Sequence, residues 1–195
     1  MKLFVLGLDG ATFDCLNPLM EEGIIPNIAE MCAKWSSGPL QTIFPPVTAP
    51  AWLALATGLN PGKTGVFDYI NKVSSENEHM APVSSAHYNN RAIWNHLNNA
   101  GYKTGIFNYP TLSPPPQVKG FSVSGMGGHG GQHFCYPPEL ENDLQSLTGG
   151  YESKLNLRNP RYRKNINLFF EDIHRIMLKQ VNALKFLINK KEWDF

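Results

Sequence analysis

The sequence predicts a doubly wound α/β fold, in which helices cover both faces of a mostly parallel sheet. Residues 3–8 are continuously apolar, as expected for a strand that is buried on both of its faces. A helical pattern that ends at Gly101 leads directly into a second apolar run at residues 103–109. This alternation of strand, helix and strand is typical of parallel sheets.

After the first strand the sequence predicts two helices and a short strand. Pro26 suits a first helical turn, and residues 27–35 continue the helix. Residues 40–44 form the expected short strand. A second helix begins at Thr48 and ends at Gly58, since glycine readily takes the left-handed conformation that follows a helix.

The next part of the chain is less regular. We expect a turn-rich loop at residues 58–65 and a short extended piece at residues 66–69. A polar, irregular region follows at residues 71–90. Asn89 or Asn90 is then expected to cap a helix that ends at Gly101. The apolar face of this helix consists of Ile93, Trp94 and Leu97.

The C-terminal part predicts one strand and two helices. Residues 121–124 form the strand, and the glycine-rich residues 125–131 are expected to be a mobile loop because of their high conformational entropy. Helices are predicted over residues 138–147 and, with an amphipathic pattern, over residues 163–189. Residues 193–195 resemble the start of a further strand.

Composition describes an ordinary globular domain. The 195 residues are 42% hydrophobic and 17% charged, enough for one domain with a real core. The net charge of +1 provides neither the basic surface of a nucleic-acid-binding protein nor a polybasic membrane signal. No apolar stretch approaches the length that spans a membrane.

The cysteines and the N-terminus indicate a cytoplasmic location. Cys15, Cys32 and Cys135 are odd in number and widely spaced, so we interpret them as free thiols in a reducing compartment. Asp9 interrupts the N-terminal apolar run after six residues. A secretory signal needs a longer run, and none is expected.

Asp9 and Thr48 are the residues with the greatest chemical interest. Asp9 follows a strand and precedes Gly10, so it is either a turn-capping residue or a metal ligand at the carboxyl edge of the sheet. Thr48 at a helix N-terminus is either a capping hydroxyl or a nucleophile beside an anion site. Taken singly, each residue is better explained by its capping role. Together, they form a plausible phosphate-handling site.

Two other patterns are weaker. Gly62-Lys63-Thr64 ends like a P-loop, but the position that must be glycine is Thr57, and Gly58 is one residue too close. His129 and His133 have the spacing of metal ligands on a helix, but the glycines between them disfavour a helix. We interpret these histidines as surface loop residues, with substrate contact as the alternative. The remaining histidines, without a partner pattern, are His79, His87, His96 and His174.

Several motifs, taken in order, resemble those of the alkaline phosphatase superfamily. Within that superfamily they resemble the type I phosphodiesterase/nucleotide pyrophosphatase branch. These motifs are Leu8-Asp9-Gly10, Pro26-Asn27-Ile28, the run from Thr42 to Pro50, Thr57-Gly58-Leu59-Asn60-Pro61 with Gly65-Val66, the run from Gly105 to Pro110, and Val123-Ser124-Gly125. The resemblance covers most of the chain. It implies a three-layer α/β/α sandwich with 1–195 as the N-terminal portion of one catalytic domain, in which 71–90 and 111–160 are loop or cap insertions.

The same resemblance implies a mechanism and a cofactor. Thr48 would be the nucleophile and would carry a covalent phosphoryl intermediate, and Asp9 and Thr48 would both contact a metal. The family uses two divalent ions, which we expect to be zinc. The expected substrate is a small-molecule phosphoester, and the oligomeric state is left open.

The sequence departs from the family pattern at two points. Tyr69 stands where nucleotide pyrophosphatases place a phosphate-binding asparagine, with Asn71 two residues on. The remaining aspartate and histidine ligands of the family are expected after the strand that residues 193–195 start. The alternatives to an active phosphodiesterase are therefore a truncated, inactive fragment or binding module, and a sulfatase or phosphomutase of the same superfamily.

Overall fold

The computed structural model describes residues 2–72, 80–125 and 133–195 and shows a mixed α/β protein. Its helices are α1 (Phe13–Glu21), α2 (Pro26–Lys34), α3 (Thr48–Thr57), α4 (Pro61–Thr64), α5 (Ile93–Asn99), α6 (Leu140–Thr148), α7 (Arg161–Lys164) and α8 (Asn167–Lys190). Its strands are β1 (Ile70–Lys72), β2 (Met80–Pro82), β3 (Thr104–Tyr109), β4 (Gly120–Ser124) and β5 (Cys135–Tyr136). A short 3-10 helix covers Ser85–Tyr88.

The described strands form two sheets. β3 pairs in parallel with β4, with Thr104 opposite Gly120, and β5 pairs antiparallel with β4. β1 and β2 form a separate antiparallel pair. The strands predicted at 103–109 and 121–124 are therefore confirmed, and they lie side by side.

Residues 193–195 extend the larger sheet beyond β3, as the sequence predicts for the start of a strand. The amide of Asp194 donates to the carbonyl of Lys103 at 2.7 Å, and the amide of Gly105 donates to the carbonyl of Phe195 at 2.7 Å. On the other side, the amide of Leu3 donates to the carbonyl of Asp194 at 2.9 Å. The C-terminal residues thus lie between β3 and the N-terminal segment.

The strand predicted at residues 3–8 is not formed, and neither is the one at residues 40–44. Within the described part of the chain, Leu3 makes the only backbone hydrogen bond that joins the 3–8 segment to a neighbouring extended segment. The large apolar side chains of this segment are 52 to 66% exposed. A strand is defined by its hydrogen bonds to a neighbouring strand. Residues 193–195 lie beside Leu3 but do not continue along the rest of the segment. Residues 4–8 therefore have no partner in the 193–195 segment.

The predicted helices are largely confirmed. α2, α3, α5 and α6 lie where the sequence places them, and Gly58 and Gly149 end α3 and α6 with positive φ. The long helix begins at Asn167 rather than 163, because Arg161–Lys164 forms the separate α7.

Three local expectations need correction. α5 is capped at Ala92, whose amide donates to the side chain of Asn95, and not by Asn89 or Asn90. The loop at 58–65 contains α4, because the Asn60 side chain accepts a hydrogen bond from the amide of Lys63. The extended piece expected at 66–69 is displaced to β1. The glycine-rich stretch expected to be mobile lies largely outside the described residues, as do His79 and His129.

Two clusters of buried side chains form the core. The first combines the inner face of α3 with the 3-10 helix, α5 and β3; its members include Ala49, Leu53, Ala56, Val66, Tyr88, Trp94 and Ile106. The second combines the sheet with α6 and α8; its members include Phe121, Val123, Leu140, Leu144, Ala183 and Leu187. Full burial of one leucine contributes about 1.5–3 kcal/mol, so α3 is firmly anchored. By contrast, α1 and α2 bury no side chain.

A small ionic network joins the chain after α6 to α8. Glu152 accepts hydrogen bonds from Arg175 and Lys179, and the Lys179 ammonium also donates to the carbonyl of Gly150 at 2.7 Å. Partial burial opposes ionisation of Glu152, but the hydrogen bonds from Arg175 and Lys179 outweigh it and hold the pKa of this carboxyl below its ordinary value. The ionised form of Glu152 therefore favours the folded state.

We expect this network to make the chain less stable in acid. A carboxyl whose folded pKa is lowered contributes stability above its ordinary pKa of 4.5, and that stability is lost as the pH falls towards the folded value. Glu152→Gln should remove this component and flatten the acid limb of the stability profile. The difference should not exceed about 1 kcal/mol, since the Glu152 side chain is 36% exposed and water screens the pairs. Urea unfolding of both proteins over the acid range measures it; parallel acid limbs would contradict the assignment.

Candidate active site

Asp9 lies where the N-terminal segment turns away from the sheet. Gly10 follows it with a φ of 70°, a left-handed conformation that glycine adopts without strain, and the amide of Thr12 closes the turn on the carbonyl of Gly10 at 2.9 Å. The Asp9 side chain is exposed and directed to the N-terminal end of α3. The turn therefore presents a carboxylate beside a helix.

Thr48 is the first residue of α3 and is half-buried. Its hydroxyl donates to Asp9 Oδ2, with 3.1 Å between the two oxygens. Within the described residues no side-chain hydrogen bond caps this helix N-terminus. The structure thus brings together the two residues that the sequence singles out, and it gives the hydroxyl a carboxylate partner rather than a capping role.

Trp52 is a third member of the site that sequence reasoning missed. Its indole Nε1 donates to Asp9 Oδ1 at 3.1 Å, so each carboxylate oxygen accepts one hydrogen bond from α3. Trp52 is four residues after Thr48, and that spacing puts both side chains on one helix face. The four-residue spacing from Thr48 could have indicated this role. However, an aromatic residue in a helical pattern is normally interpreted as part of the core.

The indole of Trp52 is held from two sides. A Cβ atom built on Gly7 would lie 2.2 Å from Cη2 of the indole, so the ring rests directly on the backbone of Gly7. The ring of Tyr109 meets the indole edge-on, with 4.9 Å between centroids and an interplanar angle of 86°. The Tyr109 hydroxyl donates to the main-chain carbonyl of Trp52 at 2.6 Å. Burial raises the pKa of Tyr109, so this phenol keeps its proton and remains a donor.

The N-terminus of α3 provides the positive end of a helix next to the Thr48 hydroxyl. The amides of Thr48 and Ala49 belong to the first turn, where amides have no partner within the helix. Pro50 has no amide proton, so this turn offers one donor fewer than usual. An anion beside Thr48 would be favoured by these amides and by the helix dipole.

The described residues do not by themselves fit a two-metal centre. Across residues 2–72, 80–125 and 133–195, no group of three or more histidine, cysteine, aspartate or glutamate side chains is placed to hold a metal ion. At the site there is one carboxylate, Asp9, and one hydroxyl, Thr48. Catalytic zinc usually takes about three protein ligands, so the donor set is short of even one complete site.

The weaker sequence patterns form no second site in the described structure. Lys63 and Thr64 belong to the four-residue helix α4, where the Lys63 amide is bound by Asn60. His87 Nδ1 contacts the amide of Ser84 within a local turn. His174 lies on the exposed side of α8.

Comparison with known proteins gives one match. The family model described as "Type I phosphodiesterase / nucleotide pyrophosphatase" matches residues 3–195. No curated protein and no solved structure matches the chain. None of the helices in the described ranges is both long enough and apolar enough to cross a membrane.

The contact between Gly7 and Trp52 can be tested by adding one methyl group. Gly7→Ala should force the indole away from the N-terminal segment and lower the free energy of unfolding by about 1–3 kcal/mol, the usual cost of overpacking. Gly38→Ala is the matched control, because a Cβ there meets nothing within 4 Å. Chemical denaturation of both variants measures the effect. Equal stabilities would mean that the close contact does not exist in solution.

Proposed function

The chain belongs to the type I phosphodiesterase/nucleotide pyrophosphatase family, and on this basis we propose that it is a phosphoester hydrolase with Thr48 as its nucleophile. The family indicates hydrolysis of small-molecule phosphoesters. The observation that carries the assignment is the hydrogen bond of 3.1 Å from the Thr48 hydroxyl to Asp9 Oδ2 at the N-terminus of α3. A hydroxyl that already points its proton at a carboxylate is prepared for nucleophilic attack.

The proposed reaction has two steps. In the first, Thr48 Oγ1 bonds to phosphorus and the bond to the leaving alcohol breaks, while the hydroxyl proton moves towards Asp9 Oδ2. The leaving alkoxide takes up a proton from solvent water and departs, and Thr48 carries the phosphoryl group. In the second step, the oxygen of water bonds to phosphorus and the bond to Oγ1 breaks. Oγ1 takes back the proton from Asp9 Oδ2, which restores the hydroxyl and the carboxylate, and the product is released. The amides at the start of α3 stabilise the negative charge on the phosphoryl oxygens.

Metal dependence is general in the family, although the described residues do not complete a metal centre. We propose that the family's two divalent ions, zinc by resemblance, take Asp9 and Thr48 as only part of their ligand set. The remaining donors would lie outside the described residues. This incompleteness favours a second candidate function, in which the chain is a non-catalytic binding module of the same family.

Substrate class and architecture follow as further proposals. We propose a phosphodiester without nucleotide specificity, because Tyr69 stands at the position of the expected asparagine and Asn71 belongs to β1. We also propose that the full domain is a three-layer α/β/α sandwich with a mostly parallel sheet, in which 71–90 and 111–160 are insertions.

The thiols support a cytoplasmic location, which we propose on that ground. Cys15 is exposed, Cys32 is half-buried and Cys135 is buried, and all three are free. Burial raises the pKa of the Cys135 thiol to about 12, so it is protonated and inert at neutral pH. Free thiols of this kind are usual in a reducing compartment.

Substitution of Thr48 tests the proposed nucleophile. Turnover of a chromogenic phosphodiester, assayed with zinc added in excess, should be abolished by Thr48→Ala. The same change should lower stability by only about 1 kcal/mol, the net value of one hydrogen bond. Thr48→Ser keeps the hydroxyl and should retain part of the activity. Mass spectrometry of the quenched wild-type reaction should find one phosphoryl group on the peptide that contains residue 48. Undiminished turnover in Thr48→Ala would refute the assignment, and the absence of turnover in the wild type would favour the binding module.

Metal content tests how complete the site is. After dialysis, the purified chain should hold well below one zinc or manganese ion, because one carboxylate and one hydroxyl bind a divalent ion weakly. Elemental mass spectrometry measures both metals. Two ions per chain would contradict this expectation and show that donors outside the described residues complete the centre. Loss of those ions in Asp9→Ala would then identify Asp9 as a ligand.

A further inference from the structure

We propose that Trp52 is the positioning residue of this site, and that it holds the Asp9 carboxylate so that Oδ2 faces the Thr48 hydroxyl. The proposal rests on the proposed function of Thr48, and it adds a residue and a structural role to it. Trp52 does not contact the reacting atoms. It acts through the orientation of Asp9.

The two carboxylate oxygens of Asp9 accept hydrogen bonds from different side chains of α3. Indole Nε1 is a donor only, and it occupies Asp9 Oδ1 at 3.1 Å. Rotation of the Asp9 carboxylate would break this bond, so Oδ2 stays opposite Thr48 Oγ1, also at 3.1 Å. Both donors belong to one helix and are separated by one helical turn, which fixes the distance between them.

Asp9 receives little support from its own segment. Its side chain is exposed, and within the described residues the only backbone hydrogen bond from the preceding segment to the sheet is that of Leu3. The helices that follow it, α1 and α2, bury no side chain in the described structure. The position of Asp9 is therefore determined mainly by its contacts with α3.

Trp52 itself is fixed to the core. The Tyr109 ring packs edge-on against the indole, and its hydroxyl binds the carbonyl of Trp52. Tyr109 in turn packs against Trp94, with 5.2 Å between the ring centroids, and against Tyr88, with 6.1 Å. Because Tyr88 and Trp94 are buried, a continuous series of aromatic contacts runs from the core to the Asp9 carboxylate.

The first test observes the hydrogen bond directly and needs no activity. In the protein labelled with nitrogen-15, the indole groups of Trp35, Trp52, Trp94 and Trp193 give separate signals, which single Trp→Phe variants assign. Asp9→Ala removes the acceptor, so the Trp52 indole proton should shift upfield by more than any of the other three. A Trp52 signal that moves no more than the others would overturn the proposal, whatever the activity of the chain.

The second test separates positioning from binding. Trp52→Phe keeps an aromatic ring against Gly7 and Tyr109 but removes the donor, so kcat should fall about tenfold or more while KM stays within about twofold. Trp35→Phe is the matched control, since Trp35 is 65% exposed and makes no contact with Asp9, and its kinetic constants should not change. An unchanged kcat in folded Trp52→Phe would overturn the positioning role.

The two tests distinguish this proposal from the proposed function. If the Trp52 signal responds to Asp9→Ala but Thr48→Ala does not affect turnover, the nucleophile assignment fails and the arrangement of Asp9 by Trp52 stands. If Thr48→Ala abolishes turnover but Trp52→Phe leaves kcat unchanged, the positioning role fails and the nucleophile stands.

Discussion

The burial of one face of α3 against the first core cluster is the interaction on which the rest of the site depends. Ala49, Leu53 and Ala56 have almost no exposed surface, and they fix the rotation of the helix about its axis. With that rotation fixed, Thr48 and Trp52 both face the turn that carries Asp9. The adjoining face of the helix is core, so packing and chemistry share one rigid element.

The parts of the fold that could be predicted are those with local causes. The α3 helix is bounded by residues whose preferences are intrinsic, such as Gly58 with its positive φ, and β3 follows a helix stop at Gly101. The segment 3–8 was predicted wrongly because its apolar pattern describes a strand, whereas strand formation depends on partners distant in sequence. In the structure its only such hydrogen bond, within the described residues, is donated by the Leu3 amide to the carbonyl of Asp194.

The site was predictable in part. A carboxylate after a strand and a hydroxyl at a helix N-terminus indicate Asp9 and Thr48, and the resemblance to a family implies their roles. They are 39 residues apart, and the structure places them in hydrogen-bond contact. Trp52 escaped notice because sequence alone does not distinguish an indole that packs in the core from one whose N–H binds a carboxylate. A complete set of metal ligands could not be predicted. The described residues contain no group of three or more potential ligands placed to hold a metal ion.

The N-terminal segment, which within the described residues is paired only at Leu3, has a consequence for the behaviour of the protein in solution. Residues 3–8 carry no charge, and their exposed backbone and apolar side chains form an extended edge of the kind that recruits strands from other molecules. Lys2 and Asp9 flank this stretch, and charged residues at such positions slow aggregation without preventing it. Self-association should therefore rise steeply with concentration, and the N-terminal edge is the surface on which it would begin.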